Sequence, residues 1–184
     1  MLRIRPRRRL GAALLGVALL AAQATIASQA ATPERGYWLV DARGNVYEFG
    51  GANFLGSSPS QAAVVSIIPT SSGEGYWLAA ADGGVFTHGD APFKGSLCSI
   101  RLNRPVVGMA ATPSGNGYWL VASDGGIFTF GDAPFWGALG SQTLDRPIVG
   151  MAATPDGGGY WLVDSAGRVF NKNAPHYGQV DAGA

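Results

Sequence analysis

The chain has one cysteine, two histidines and few charges, which make up 14% of its 184 residues. A lone cysteine, Cys98, cannot close an internal disulfide. Free cysteines are among the most buried residue types, so Cys98 is expected in the interior. The histidines, His88 and His176, form no His-x-x-x-His pair and no Cys/His spacing, so a zinc site is not expected. Neither a Gly-x-Ser-x-Gly elbow nor an Asp-x-Asp-x-Asp run occurs, which leaves no motif for a hydrolase nucleophile or for a calcium loop. No acidic residue precedes Glu34, and past the first two dozen residues no stretch shows a helical period of apolar side chains. Enzyme activity and cofactors are therefore not expected.

Turn formers and apolar residues are plentiful instead. The 28 glycines and 11 prolines rule against a helical protein, and 47% hydrophobic residues is too apolar for a disordered one. The formal net charge of +1 hides an asymmetry. Five of the 13 basic residues (Arg3, Arg5, Arg7, Arg8, Arg9) lie in the first ten positions, leaving eight against 12 acids, a net of −4 for the rest. A mildly acidic body lacks the clustered Lys and Arg that displace counterions, so no nucleic-acid partner is expected.

The basic start leads into an apolar run, Leu10 to Ala22, and then Ala22-Gln23-Ala24, with small residues placed for cleavage. This is the three-part pattern of a secretory signal peptide over residues 1–24. The run is shorter than the ~20 residues a membrane-spanning helix needs, so no membrane association is expected after cleavage. Mass spectrometry of the secreted form should find Thr25 at its N-terminus. A chain starting at Ala31 would lose most of a predicted strand and leave the first repeat incomplete.

Gly-Tyr-Trp-Leu occurs four times, with its tryptophans at Trp38, Trp77, Trp119 and Trp161, at steps of 39, 42 and 42 residues. Each copy is followed by a second block (Val46–Phe49, Val85–His88, Ile127–Phe130, Val169–Lys172) and a third (Asn53–Gly56, Pro92–Gly95, Pro134–Gly137, Pro175–Gly178). A further block precedes three of them, at Val64–Thr70, Val106–Thr112 and Ile148–Thr154, and Ile26 to Pro33 matches it ahead of the first. Short β-branched and aromatic runs bounded by Gly, Pro, Asp and Ser read as strands joined by tight turns. Asp82-Gly83-Gly84 and Asp124-Gly125-Gly126 supply the positive φ such turns need. The unit is thus four strands in about 42 residues, the period of a propeller blade. The expected fold is all-β, a small β-propeller of four four-stranded blades over residues 25–184, with repeats 25–62, 63–104, 105–146 and 147–184. Tyr118-Trp119-Leu120-Val121 is apolar at every position, as a strand covered on both faces should be. Closure of the four units within one chain predicts a monomer of about 16 kDa, from roughly 160 residues; the alternative is two chains completing one eight-blade ring.

These blocks resemble a tandem repeat of exported actinobacterial proteins, in which Gly-Tyr-Trp-Leu-Val, Asp-Gly-Gly-Ile-Phe, Phe-Gly-Asp-Ala-Pro-Phe and Val-Val-Gly-Met-Ala-Ala-Thr-Pro recur. Residues 105–137 carry the pattern most fully, whereas 36–56 and 164–178 diverge. The resemblance implies a propeller-like module that is secreted or associated with the cell wall. It implies no defined activity and no catalytic residues. The expected function is binding or scaffolding at the envelope, with a cell-wall glycan or another exported protein as partner; a propeller hydrolase and a structural spacer are the alternatives.

Trp38, Trp77, Trp119 and Trp161 share one repeat position and are expected in the core. Trp136 stands where the other repeats have Leu55, Lys94 and Tyr177, so packing does not dictate it. With Tyr177 and Phe93 at or next to equivalent points, Trp136 is the candidate for stacking on a sugar ring, with edge packing between blades as the alternative. The recurring acids Asp82, Asp124, Asp90 and Asp132 are expected to form turns. Arg104 and Arg146, in Leu102–Pro105 and Leu144–Pro147, are expected to pair with Asp82 and Asp124 across neighbouring repeats.

Overall fold

A computed structural model describes residues 36–180 of the chain. The signal peptide, Thr25 and the strand expected at Ile26 to Pro33 lie outside the described residues. Within them the fold is all-β: eleven strands in four antiparallel sheets, without a helix. Sheet 1 pairs β1 (Gly36–Val40) with β2 (Val46–Gly50). Sheet 2 is β3 (Val64–Pro69), β4 (Gly75–Ala80) and β5 (Val85–Gly89), with β4 in the middle. Sheet 3 repeats that order with β6 (Val106–Ala111), β7 (Gly117–Ala122) and β8 (Ile127–Gly131), and sheet 4 with β9 (Ile148–Ala153), β10 (Tyr160–Asp164) and β11 (Val169–Lys172).

In sheets 2 to 4 the Gly-Tyr-Trp-Leu strand is the middle strand, and β4 and β7 are buried at every position. The expected turns form. Asp82 and Asp124 each accept a hydrogen bond at Oδ1 from the amide two residues on, Gly84 and Gly126, and Gly83 and Gly125 adopt φ of 83° and 77°. In sheets 1 and 4 a different acid does this work. Asp41 accepts the amides of Arg43 and Asn45, and the buried Asp164 those of Ala166 and Arg168.

Burial pushes the Asp164 carboxyl up, but the Arg168 guanidinium, whose Nε lies 2.6 Å from Oδ2, and the two amides outweigh it and hold it below the usual carboxylate range. A carboxyl depressed on folding adds stability above its unfolded pKa of ~3.9 and loses it as pH falls through the folded value. The melting-temperature gap between wild type and Asp164→Asn should therefore be widest near neutrality and shrink from about pH 4 downward. A gap that stays constant to about pH 2 would show that the carboxylate charge contributes nothing.

The fourth strand of each unit is a correction. Residues 53–56, 92–95, 134–137 and 175–178 join no β-ladder, so sheets 2 to 4 have three strands; among the described residues sheet 1 has two. Pro92, Pro134 and Pro175 have no amide to donate to a ladder. Side chains hold these segments instead. The Trp of the same repeat donates its indole N–H to the segment's start: Trp38 to Asn53 O, Trp77 to Pro92 O, Trp119 to Pro134 O and Trp161 to Pro175 O, at 2.6–2.9 Å. The Tyr of the following repeat donates its hydroxyl to the segment's end: Tyr76 to Gly56 O, Tyr118 to Gly95 O and Tyr160 to Gly137 O. Gly56 and Gly95 let the ring beyond approach. A Cβ on Gly95, at φ 134°, would lie 2.6 Å from the Phe130 ring, and one on Gly56 equally close to the His88 ring.

The sheets stack in chain order around three buried clusters. Trp38, Val40 and Val46 of sheet 1 meet Tyr76, Leu78 and Ile67 of sheet 2. Trp77, Ala79 and Val85 meet Tyr118, Leu120 and Met109. Trp119, Val121 and Ala110 meet Tyr160, Leu162 and Ile148. Sheets 1 to 3 thus turn their Trp face to the next sheet, and sheets 2 to 4 their Tyr face to the previous one, with tilted Trp–Tyr ring pairs 5.5–6.1 Å apart. Among the described residues no such cluster joins sheet 4 to sheet 1, where closure within one chain was expected.

Two further expectations are corrected. Cys98 is exposed, because its neighbour Leu97 takes the inward position, donating its amide to Gly83 O and packing under that glycine. Arg104 and Arg146 form no ion pair; the ion pairs among the described residues run from Arg168 to Asp164 and to the exposed Asp145. Arg104, Arg146 and Asp124 instead line one pocket of about 400 Å³.

Candidate functional site

Trp38, Trp77 and Trp119 are core residues, whereas Trp161 is half-buried because no sheet covers its face among the described residues. The three residues singled out for stacking fall on three successive repeats and do not converge. Phe93 is 58% exposed in the second, Trp136 is 37% exposed in the third, and Tyr177 is 83% exposed in the fourth. Tyr177 sits beside Trp161, ring centroids 5.9 Å apart. Phe93 belongs to a series, since Phe54 and Phe135 hold the same repeat position and are equally exposed. Of this series the sequence singles out only Phe93; Phe54 and Phe135 join it in the structure, all three outside the β-ladders.

Trp136 is the most constrained of the three. Its amide donates to Tyr160 Oη at 3.2 Å and its indole N–H reaches Gly157 O at 3.3 Å. The ring therefore bridges the third repeat to the β9–β10 turn of the fourth. At that turn opens a groove of about 370 Å³, lined by Thr112, Pro113, Ser114, Asp132, Asp156 and Gly157, with Pro134 completing the wall. Trp136 stands at its rim through Gly157.

The two carboxylates of the groove are both oriented. Ser114 and Thr112 donate hydroxyl hydrogens to Asp132 at 2.5 and 2.9 Å, and these bonds, that of Ser114 foremost, hold its carboxyl below the usual range. The Thr154 hydroxyl and the Gly158 amide donate to Asp156 Oδ1 at 2.6 and 2.9 Å, with the same effect. Both are ionised at neutral pH, as fixed hydrogen-bond acceptors. Asp90 is held likewise by Thr70 and Ser72 in the second repeat, so Asp132 and Asp90 first serve to tie two turns together. Asp156 is different. Its counterparts are Ser114 and Ser72, so a carboxylate here is specific to the fourth repeat, as Trp136 is to the third. Sequence reasoning missed Asp156; its departure from the repeat was the available signal.

One Ser–His contact is present. Ser58 Oγ lies 2.9 Å from His88 Nε2, and the imidazole packs on the Tyr76 ring at 5.2 Å. Among the described residues no carboxylate hydrogen-bonds His88, and no cluster of His, Cys, Asp and Glu suits a metal ion. Where sheet 3 has Phe130, His88 fills the same packing position over the preceding glycine.

No family model and no curated protein matches the chain. Among solved structures it is similar to the C-terminal WD40 domain of Sif2, at 14% identity and a TM-score of 0.46, over 74% of this chain and 41% of that one. A likeness at that level carries no argument about function. The chain spans less than half the length of that structure.

Proposed function

We propose that this chain is an exported, non-catalytic module of β-propeller type, related to the tandem repeats of actinobacterial envelope proteins, and that it binds glycan in the groove between its third and fourth repeats. The basic leader and apolar run of residues 1–22 support export. Four sheets of one repeat unit, stacked face to face in chain order, support the propeller reading. The observation that carries the binding site is coincidence of departures: Asp156, which lines the groove, and Trp136, which hydrogen-bonds to the lining residue Gly157, are each unlike their counterparts in the other repeats. An exposed aromatic face and oriented carboxylates are what a sugar needs, the ring for its C–H face and the acids for its hydroxyls.

Titration with soluble oligosaccharides from cell-wall digests, followed by calorimetry, tests this. Trp136→Ala and Asp156→Ser should each weaken binding by about tenfold or more while the fold persists, one lost charged hydrogen bond or ring contact being worth ~1–3 kcal/mol. Undiminished binding by both variants would remove the groove from consideration. A second reading, in which another exported protein docks, is favoured by the exposed series Phe54, Phe93 and Phe135. Loss of a protein partner in Phe93→Ser, with glycan binding intact, would mark it.

A further inference from the structure

Among the described residues the stack of sheets ends in two uncovered faces that are the two halves of its own repeated interface. On sheet 1, Tyr37 is exposed and stacks on Phe49, also exposed, at 5.1 Å. Leu39 and Tyr47 share that face, by the pairing Tyr37↔Phe49 and Leu39↔Tyr47. The counterparts Tyr76, Tyr118 and Tyr160, and Leu78, Leu120 and Leu162, have no exposure at all, because the Trp face of the preceding sheet covers them. On sheet 4, Trp161 and Val163 are half-buried where Trp119 and Val121 have no exposure. Val149 is 50% exposed, where Val107 and Val65 pack against the next cluster.

The polar fittings of the interface are also left over. Gly178 keeps the positive φ of its counterparts, 117°, yet a Cβ there would meet nothing within 4 Å, whereas Gly95 and Gly56 are each capped by a ring of the following repeat. The Gly95 and Gly56 carbonyls accept a tyrosine hydroxyl from that repeat. Tyr37 and Phe49 are the tyrosine and the ring that lack a preceding repeat among the described residues.

We propose that a second copy of this chain docks head to tail, the Tyr37–Phe49 face of one copy on the Trp161–Val149 face of the other. The contact continues the pattern of the three interfaces inside the chain. Trp161 meets Tyr37, the Tyr37 hydroxyl donates to Gly178 O, and Phe49 lies over Gly178. Because the two surfaces differ, the contact is heterologous, and it closes into a ring or grows into a filament according to the rotation per copy. This assembly stands apart from the glycan groove and does not depend on it.

The test is light scattering on the exported protein across a dilution series, with Phe49→Glu and Val149→Glu made separately. Both sites are exposed, and Lys172 and His88 show that polar residues stand at the Phe49 position in other repeats. Wild type should run as a dimer or as a concentration-dependent polymer. Each variant alone should run as a monomer with unchanged circular dichroism, and an equimolar mixture should regain a dimer through the one intact head and tail. Tyr37→Phe, which keeps the ring, should weaken association by roughly 2–10-fold for the lost hydrogen bond. A wild-type monomer at all concentrations would overturn the proposal. So would disruption by Phe49→Glu but not by Val149→Glu, the mark of a symmetric face-to-face contact, or a mixture that stays monomeric.

Discussion

Trp119→Ala should lower the unfolding free energy by about 3–5 kcal/mol, the range for large aromatics removed from cores. The side chain is fully buried, packs on the Tyr160 ring at 5.8 Å and donates its indole N–H to Pro134 O at 2.7 Å. Truncation opens a cavity between sheets 3 and 4 and releases the segment that starts at Pro134. Since domains hold only ~5–15 kcal/mol in total, the variant will be near its unfolding threshold. Trp161→Ala supplies the comparison. It removes the same ring from the same repeat position, but from a half-covered face, so its cost in dilute solution should be clearly smaller. Equal losses in chemical denaturation would contradict the packing order described above.

Gly131→Ala should be nearly as damaging, and for a purely backbone reason. Gly131 has φ 65°, and an added Cβ would lie 2.0 Å from the Asn116 carbonyl oxygen, which no side-chain rotation can clear. Gly115 has an equivalent φ of 71° with nothing within 4 Å. Both alanines bear the left-handed strain of about 1–2 kcal/mol, and only Gly131→Ala adds the overpacking cost of about 1–3 kcal/mol. Thermal melts of the two variants isolate that second part by difference. Indistinguishable melting temperatures would mean that the turn around Asn116 moves aside freely.

The middle strands were legible because Gly-Tyr-Trp-Leu is apolar throughout and recurs; burial on both faces leaves such a run no other place. The Asp-Gly turns were legible because few residues other than glycine tolerate their φ. The third block was misread as a strand. Pro92-Phe93-Lys94-Gly95 has strand-like composition, but its hydrogen bonds come from Trp77 and Tyr118, 15 and 23 residues away, and no local pattern announces a side-chain donor at that range. Phe93 was singled out, whereas Phe54 and Phe135, at the same repeat position, were not. Cys98 was placed by residue-type statistics, which cannot tell which of two neighbours, Leu97 or Cys98, faces inward. Arg104 and Arg146 were paired with acids by their place in the repeat, yet charges that can stay in water gain little from pairing. In the groove, Trp136 stood out as a departure from the repeat, and Asp156 needed the same comparison applied to the β9–β10 turn.

The tyrosine hydroxyls that reach back to Gly56, Gly95 and Gly137 make each unit the fastener of the one before it. A chain fastened this way should open like a zip, from its ends. Amide hydrogens of β4 and β7 should exchange with solvent last, and those of β1, β2 and β11 first, in a gradient that follows position along the stack more than local sequence. Duplication of the unit then carries a directional rule: a repeat inserted anywhere inherits a partner on both sides, whereas one deleted from the middle rejoins a Trp face to a Tyr face and leaves no scar. Arrays of this unit can therefore lengthen and shorten without redesign of their joints.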